Sequence, residues 1–376
     1  MRVCHIVPSL EDRHGGPSRS VRALANAQAS LGETVDLLAT SEAGQSVVSA
    51  AHEAAAIRTF PRVAPRWLSR SPALRQHLAK ASYDCLHNHA LWLLPLRYAG
   101  EAARRLDVPL IISPRGMLSG WAHRHRRWRK RAAELLVHPG AFAAADGWHA
   151  TSPEEAGDIK ALGFTQPVCV SPNGVALPAA DELASARSTW HELCPATRQR
   201  PVALFYSRFH RKKRLLELIE LWLARPRGDW LLLIAGVAED YTAAELGAMI
   251  NARGAAERIA VFDGTGRPAP YAVASLFLLP SHSENFGLVI AESLAAGVPA
   301  LVTDTTPWGG LATNDCGWCV SWLMFPQALA TALACPPSTL AAMGSRGRSW
   351  AGREFSWVKA AGMLRDFYQH LIDDRR

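Results

Sequence analysis

Short apolar runs recur along the whole chain, each closed by a polar or glycine-bearing turn and followed by a segment of helical period. Residues 1–7, Thr34–Thr40, a run inside Tyr83–Trp92, Val108–Ser113 and the segment VCVSPNGV read as buried strands. A second series runs through Pro201–Ser207, Trp230–Gly236, IAVFDGTG, Ala274–Leu279 and ALVT. Between the first two strands lie a glycine loop, EDRHGGPS, and a helix over Pro17–Leu31 stopped by Gly32. Strand, glycine loop and helix open a doubly wound α/β domain, where ligands lie past the carboxyl ends of the strands. The alternation pauses at residues 173–198, rich in Ala, Pro and short polar residues, which reads as an interdomain connection. The expected domains are therefore 1–172 and 199–354.

The most informative stretch is Ser281–Gly297, SHSENFGLVIAESLAAG. A buried strand precedes it, Pro280 and Ser281 end that strand, and a helix follows, starting near Asn285–Leu288 and stopped by Gly297. A helix start presents unpaired N–H groups and a positive dipole end, which suits a phosphate. Asn285, Phe286, Gly287 and Leu288 form that start. Glu284 just before it and Glu292 within it are acceptors suited to vicinal hydroxyls of a sugar or ribose. Phosphate donors flanked by hydroxyl acceptors describe a nucleotide-sugar site. Gly15 and Gly16, in the first loop, would let backbone approach a phosphate or sugar closely. Neither GxGxxG nor a P-loop is found there, which argues against a dinucleotide or ATP.

Composition adds limits. At 376 residues with 49% apolar content, the chain is long enough for two ordinary soluble domains. No apolar run approaches the ~18–20 residues of a membrane span. The opening, MRVCHIVPSL, lacks the pattern of a secretory signal, so a cytoplasmic location is expected. Seven scattered cysteines fit reduced thiols, and the lone CxxC of Cys316 and Cys319 reads as two small apolar side chains. Charge is uneven. Residues 1–172 carry 21 Lys/Arg against 14 Asp/Glu, whereas residues 173–376 carry 20 against 19. An acidic partner would meet the first half.

Much of that excess lies in residues 121–131, where six Arg/Lys fall within eight positions from Arg124 and Trp121 and Trp128 stand seven apart. Basic charge with aromatic anchors suits an anionic membrane surface or a lipid-linked acceptor. A solvated helix face or a patch for an acceptor's pyrophosphate would look the same. Nucleic acid is disfavoured, because no recognised motif accompanies the charge.

The two glutamates eight positions apart, with Phe286-Gly287 between them and AESLAAG after, resemble the signature of retaining glycosyltransferases of family 4, which have the GT-B fold. The resemblance implies two Rossmann-like domains facing a central cleft, with a final helix, residues 355–376, returning to the first. It assigns Glu284 to the transferred sugar and Glu292 to the ribose. Arg208 and Lys213 have the five-residue separation of the family's diphosphate clamp, and Gly264 lies in the turn where relatives place the base. His89, in the family's histidine-containing turn, is the expected acceptor-side residue. Relatives carry a histidine before Gly116 that contacts the donor sugar, and this chain has Arg115 instead. A fixed cation there still suits a diphosphate.

The expected protein is thus a metal-independent retaining transferase, peripheral on the membrane's inner face. It would move a sugar from a nucleoside diphosphate sugar to a glycan or lipid-linked acceptor of surface-polysaccharide type. The chain contains no Asp-x-Asp metal bridge, so Arg208 and Lys213 would neutralise the leaving diphosphate. A GT-B sugar-nucleotide epimerase and a non-catalytic lipid-binding protein are the alternatives. The first would interconvert a donor without acceptor, and the second would lose all function on charge reversal in 121–131.

Overall fold

The computed structural model describes residues 1–11, 16–42, 53–119, 127–226 and 228–375. The chain divides into two compact units, Met1–Gly174 with Ser356–Arg376 and Val175–Phe355. Unit 1 holds a seven-stranded sheet of β1 (Arg2–Val7), β2 (Thr34–Ser41), β3 (Ala56–Pro61), β4 (Cys85–His89), β5 (Leu110–Ser113), β6 (Gly147–Ala150) and β7 (Val168–Val170). Their order is β3-β2-β1-β4-β5-β6-β7, and every pairing is parallel. Unit 2 holds β8 (Val202–Tyr206), β9 (Leu231–Gly236), β10 (Ile259–Asp263), β11 (Leu276–Leu279), β12 (Ala300–Thr303) and β13 (Gly317–Val320). Their order is β10-β9-β8-β11-β12-β13, again parallel throughout.

Both orders follow from the sequence pattern. Central strands of a parallel sheet are covered on both faces, so they read as continuous apolar runs such as Leu231–Gly236, in which all six residues are buried. In each sheet the order reverses once, between β1 and β4 in unit 1 and between β8 and β11 in unit 2. At such a reversal the loops leaving the two central strands splay apart and open a crevice.

The final helix, Trp357–Asp373, belongs to unit 1. Its Ala361, Leu364, Tyr368 and Leu371 pack with Val3, Leu24, Cys85 and Ile111 in one buried cluster. The close approach depends on Gly147 in β6, where an added Cβ would lie 2.6 Å from Phe367 Cζ.

The stretch 173–198 is more ordered than its composition suggests. It carries a helix, Ala180–Leu193, and Trp190 on that helix is fully buried in the core of unit 2. Alanine, read as connection material, is the strongest helix former and here supplies a helix anchored by one tryptophan. Cys316 is buried as an apolar side chain, and the seven cysteines are all free thiols. Among the described residues, no helix is long and apolar enough to cross a membrane.

Gly147→Val should lower stability by about 1–3 kcal/mol, the usual cost of overpacking. The chain's denaturant midpoint measures it, and an unchanged midpoint would show that the helix does not depend on this contact.

Candidate active site

Unit 2 gathers the sequence-predicted residues at its switch point. The loop leaving β8 carries Arg208 and, in the short turn Arg211–Lys213, Lys213; the loop leaving β11 carries Ser281 and Glu284. Lys213 Nζ donates to Glu284 Oε1 at 2.5 Å, and Ser281 Oγ donates to the same oxygen at 2.5 Å. Both charged side chains are only 10% exposed. Burial alone would push the Glu284 carboxyl up. The ion pair and hydrogen bond from Lys213, the Ser281 hydroxyl and the neighbouring Lys212 outweigh it and hold the group ionised below its ordinary range. Burial lowers the Lys212 ammonium, and Lys213 and Arg208 add to that against the opposing pull of Glu284.

The two loops are tied together through backbone. His282 N donates to Lys212 O at 2.8 Å, and Thr303 and Thr305 hydroxyls both donate to Ser281 O at 2.6 Å. Gly287 begins the helix Leu288–Ala295 at φ 80°, and its missing Cβ would stand 2.9 Å from Ile290 Cδ1. Only glycine meets both conditions. No side chain caps this helix, which leaves its first N–H groups available to a ligand. Phe286 beneath the turn is buried, with its carbonyl accepting from Trp308 Nε1 at 2.5 Å. Asn285 and Leu288 flank it, each partly buried.

Glu292 lies on the same helix, where its Oε2 accepts from the Tyr271 hydroxyl at 2.9 Å. Arg208 is exposed and pairs with Glu239 at 2.9 Å. Gly264 is not with this group. It follows β10, the outer strand on that side, and its N donates to Gly236 O at 2.7 Å. Tyr271 and Trp308 went unremarked in the sequence, and no motif spacing marks either.

In unit 1, Gly15 lies outside the described residues, and Gly16 is the first residue of the helix Gly16–Ser30. His89 ends β4. The expected acceptor-side residue is fully buried, because its face of β4 is the one covered by the final helix. His5 stands beside His87 across β1 and β4, and His89 beside Ser113 across β4 and β5. Ile111 beside Gly147 places His149, two residues on, across from Ser113 on the same face. Four imidazoles thus share one sheet face. His5 Nδ1 lies 2.8 Å from His89 Nε2, and His87 Nδ1 lies 2.5 Å from the hydroxyl of Tyr368 on the final helix. Burial holds His5 down to about 4 and His149 to about 3, with His87 and His89 well below the usual range.

Backbone strain in unit 1 concentrates at the same edge. Ala90 and Trp92 after β4 and Arg115 after β5 all have positive φ, at 104°, 66° and 53°. Non-glycine residues in that region cost of order 1–3 kcal/mol each and cluster at functional loops. Ser152 N-caps the helix Pro153–Ala161 by accepting from Glu155 N at 3.2 Å. The Glu155 carboxylate accepts from Thr151 N at 2.7 Å and from Gly116 N at 2.6 Å, holding the strained Arg115-Gly116 turn.

Two doubly wound parallel sheets in one chain, with the last helix packed on the first unit, define the GT-B class. Residues 15–174 match a family model described as glycosyl transferase 4-like domain, and residues 188–349 one described as glycosyl transferases group 1. The D-inositol 3-phosphate glycosyltransferase of Xylanimonas cellulosilytica is 29% identical over 323 residues, 80% of this chain and 75% of that one. The GDP-mannose:cellobiosyl-diphosphopolyprenol alpha-mannosyltransferase of Xanthomonas campestris is 25% identical over 327 residues, 84% of this chain and 82% of that one. Among solved structures, HepE of Anabaena in complex with UDP and glucose superposes with a TM-score of 0.75 at 18% identity, over 98% of this chain and 100% of that one. WaaG, a glycosyltransferase involved in lipopolysaccharide biosynthesis, does so at 0.69 and 16%, over 98% and 99%. The chain belongs to family 4 of the glycosyltransferases, and it is an enzyme that transfers sugars.

The buried histidines predict an acid limit. Below the ordinary 6.5 the unfolded chain takes up protons that folded His5 refuses until about 4 and His149 until about 3. The unfolded state then binds more protons, so stability is full above pH 6.5 and falls as pH drops through that window. Each such histidine contributes about 1.4 kcal/mol per pH unit. The depressed Glu284 acts in the same direction, its contribution being lost as pH falls below the ordinary 4.5. Tm should be flat near neutrality and fall steeply from pH 6.5 toward 4. A Tm unchanged between pH 7 and 5 would exclude a neutral histidine array.

Proposed function

We propose that the enzyme transfers a sugar, with retention of anomeric configuration, from a nucleoside diphosphate sugar bound on unit 2 to a hydroxyl of a lipid-linked or polysaccharide acceptor. The observation that carries this reading is the buried Lys213–Glu284 pair beside an uncapped helix start at the β8/β11 reversal. Lys213 has three N–H bonds and gives one to Glu284, so the ammonium keeps donors for a diphosphate oxygen. Glu284 keeps lone pairs for the hydroxyls of the transferred sugar. Glu292, steadied by Tyr271, takes the ribose. Charge grows on the diphosphate as the glycosidic bond breaks. Fixed donors aimed there, Lys213 and Arg208 with the amides after Gly287, favour the transition state over the ground state. These cations take the place of a metal ion in the proposed reaction. Two relatives support the donor class: HepE was solved with UDP-glucose, and the Xanthomonas enzyme's name specifies GDP-mannose and an alpha product. For an α-configured sugar nucleotide, an alpha product is retention.

The acceptor's lipid character rests on a separate observation. Leu135 and Leu136 are 72% and 76% exposed, four and five residues after Arg131. Exposed leucines beside cations suit an anionic bilayer surface, to which each cation adds about 1 kcal/mol. Of the remaining basic positions in 121–131, Arg124 and Arg126 lie outside the described residues.

With EDTA present throughout, Glu284→Gln should lower transfer roughly a hundredfold or more, the scale of one lost transition-state contact, while UDP or GDP affinity stays within a few-fold. Glu292→Ala should instead weaken nucleotide binding by about 1–3 kcal/mol. Near-normal turnover of Glu284→Gln, or dependence of the parent on added metal, would overturn the proposed site. In vesicle sedimentation the chain should pellet with phosphatidylglycerol and far less with phosphatidylcholine, and Leu135→Ser/Leu136→Ser should release it. Equal partitioning of parent and variant would remove the membrane reading.

A further inference from the structure

Arg115 is a cation with more donors than the protein uses. Its Nη1 donates to Asn173 Oδ1 at 2.6 Å and its Nη2 to His89 Nδ1 at 3.1 Å. A guanidinium has five N–H bonds, so three remain. One of them, on Nε, is shut off from solvent and has no hydrogen-bond partner among the described residues. Asn173 and His89 are both neutral acceptors, and among the described residues Arg115 makes no ion pair.

The side chain is also fixed from behind. A guanidinium only donates, so His89 must accept at Nδ1 and carry its proton on Nε2. That proton points at His5 Nδ1, 2.8 Å away. His5 then carries its own proton on Nε2 and donates to Gln28 Oε1 at 2.5 Å. Gln28, His5 and His89 are all 0% exposed. The backbone beneath is held as firmly: Arg115 has φ 53°, and the next amide, Gly116 N, is gripped by the buried Glu155 carboxylate. Around this chain the buried His87 Nε2, His149 Nδ1 and Ser113 Oγ also lack partners among the described residues. A rigid, partly desolvated guanidinium with idle donors, at the carboxyl end of a parallel strand, is half of an anion site.

We propose that Arg115 is the anion receptor of unit 1, that it takes a phosphoryl or carboxylate group carried by the acceptor substrate, and that Gln28, His5 and His89 are positioning residues that aim it. The word substrate rests on the transferase reading; the anion binding is tested without turnover. The nitrogens of His5, His87 and His89 lie within 4.8 Å of one another and would suit a metal by count. The tautomer that Arg115 imposes on His89 turns an N–H toward that space, and the guanidinium adds positive charge beside it. The same atoms therefore read as a hydrogen-bond chain.

The test titrates the full chain with inorganic phosphate and with UDP by calorimetry, the phosphate titration being repeated in saturating UDP so that anion sites occupied by the nucleotide are filled. Arg115→Gln should lose at least tenfold in phosphate affinity measured in the presence of UDP, which identifies a group on the acceptor. A loss for UDP instead would make Arg115 a donor contact and overturn the proposal. Arg115→Lys, which keeps the charge, should recover part of the loss. His89→Phe, which removes the hydrogen-bond acceptor but keeps the bulk, should weaken the same affinity while leaving UDP binding unchanged. Neither affinity moving in a folded Arg115→Gln overturns the proposal, and so does a stoichiometric transition metal that His87→Phe removes. Failure here with Glu284→Gln still inactive leaves the transferase reading in place.

Discussion

The arrangement in unit 2 depends on a salt bridge taken almost wholly out of water. Removing one member of such a pair strands a charge and costs about 3–5 kcal/mol, although the pair itself adds little net stability. Lys213 is therefore the main reason Glu284 stays ionised at that depth. Their loops come from strands adjacent in space and about seventy residues apart in sequence. The β8/β11 pairing, the threonine bonds to Ser281 O and the glycine at the helix start all converge on keeping that contact in one geometry. Such a site is preorganised: its charges are set before a ligand arrives, and little reorganisation is left for the reaction.

Unit 1 solves a different problem on the same scaffold. It stacks four imidazoles on one sheet face under a helix and keeps them uncharged by burial. Polar atoms in a core are costly unless they are paired, and here the pairing runs in one direction, from a cation at the rim to an amide at the far end. Strain at Ala90, Trp92 and Arg115 shows where the unit's stability is given up for shape.

Local features were legible in the sequence, and assembled ones were not. The strand–loop–helix alternation lies within single windows, so periodicity and turn chemistry sufficed, whereas the Glu284/Glu292 spacing drew its meaning from the family resemblance. His5, His87, His89 and His149 look like four isolated histidines until strand order places β1, β4, β5 and β6 side by side. Tyr271 reaches Glu292 from a short helical turn with no motif of its own. The burial of His89 was not legible, because a strand's end says nothing of which face the next element covers. The helix within residues 173–198 was not legible, because alanine-rich composition serves linkers and helices alike.

Unit 1 is a discontinuous body: residues 1–174 are completed by a helix that follows all of unit 2 in the chain. During synthesis the apolar strip formed by Val3, Leu24, Cys85 and Ile111 leaves the ribosome long before Leu364 and Tyr368 can cover it. Unit 2, whose residues are contiguous, can close first. The nascent protein therefore matures from its middle outward, and its open strip is the surface that a holding chaperone would shield until translation ends.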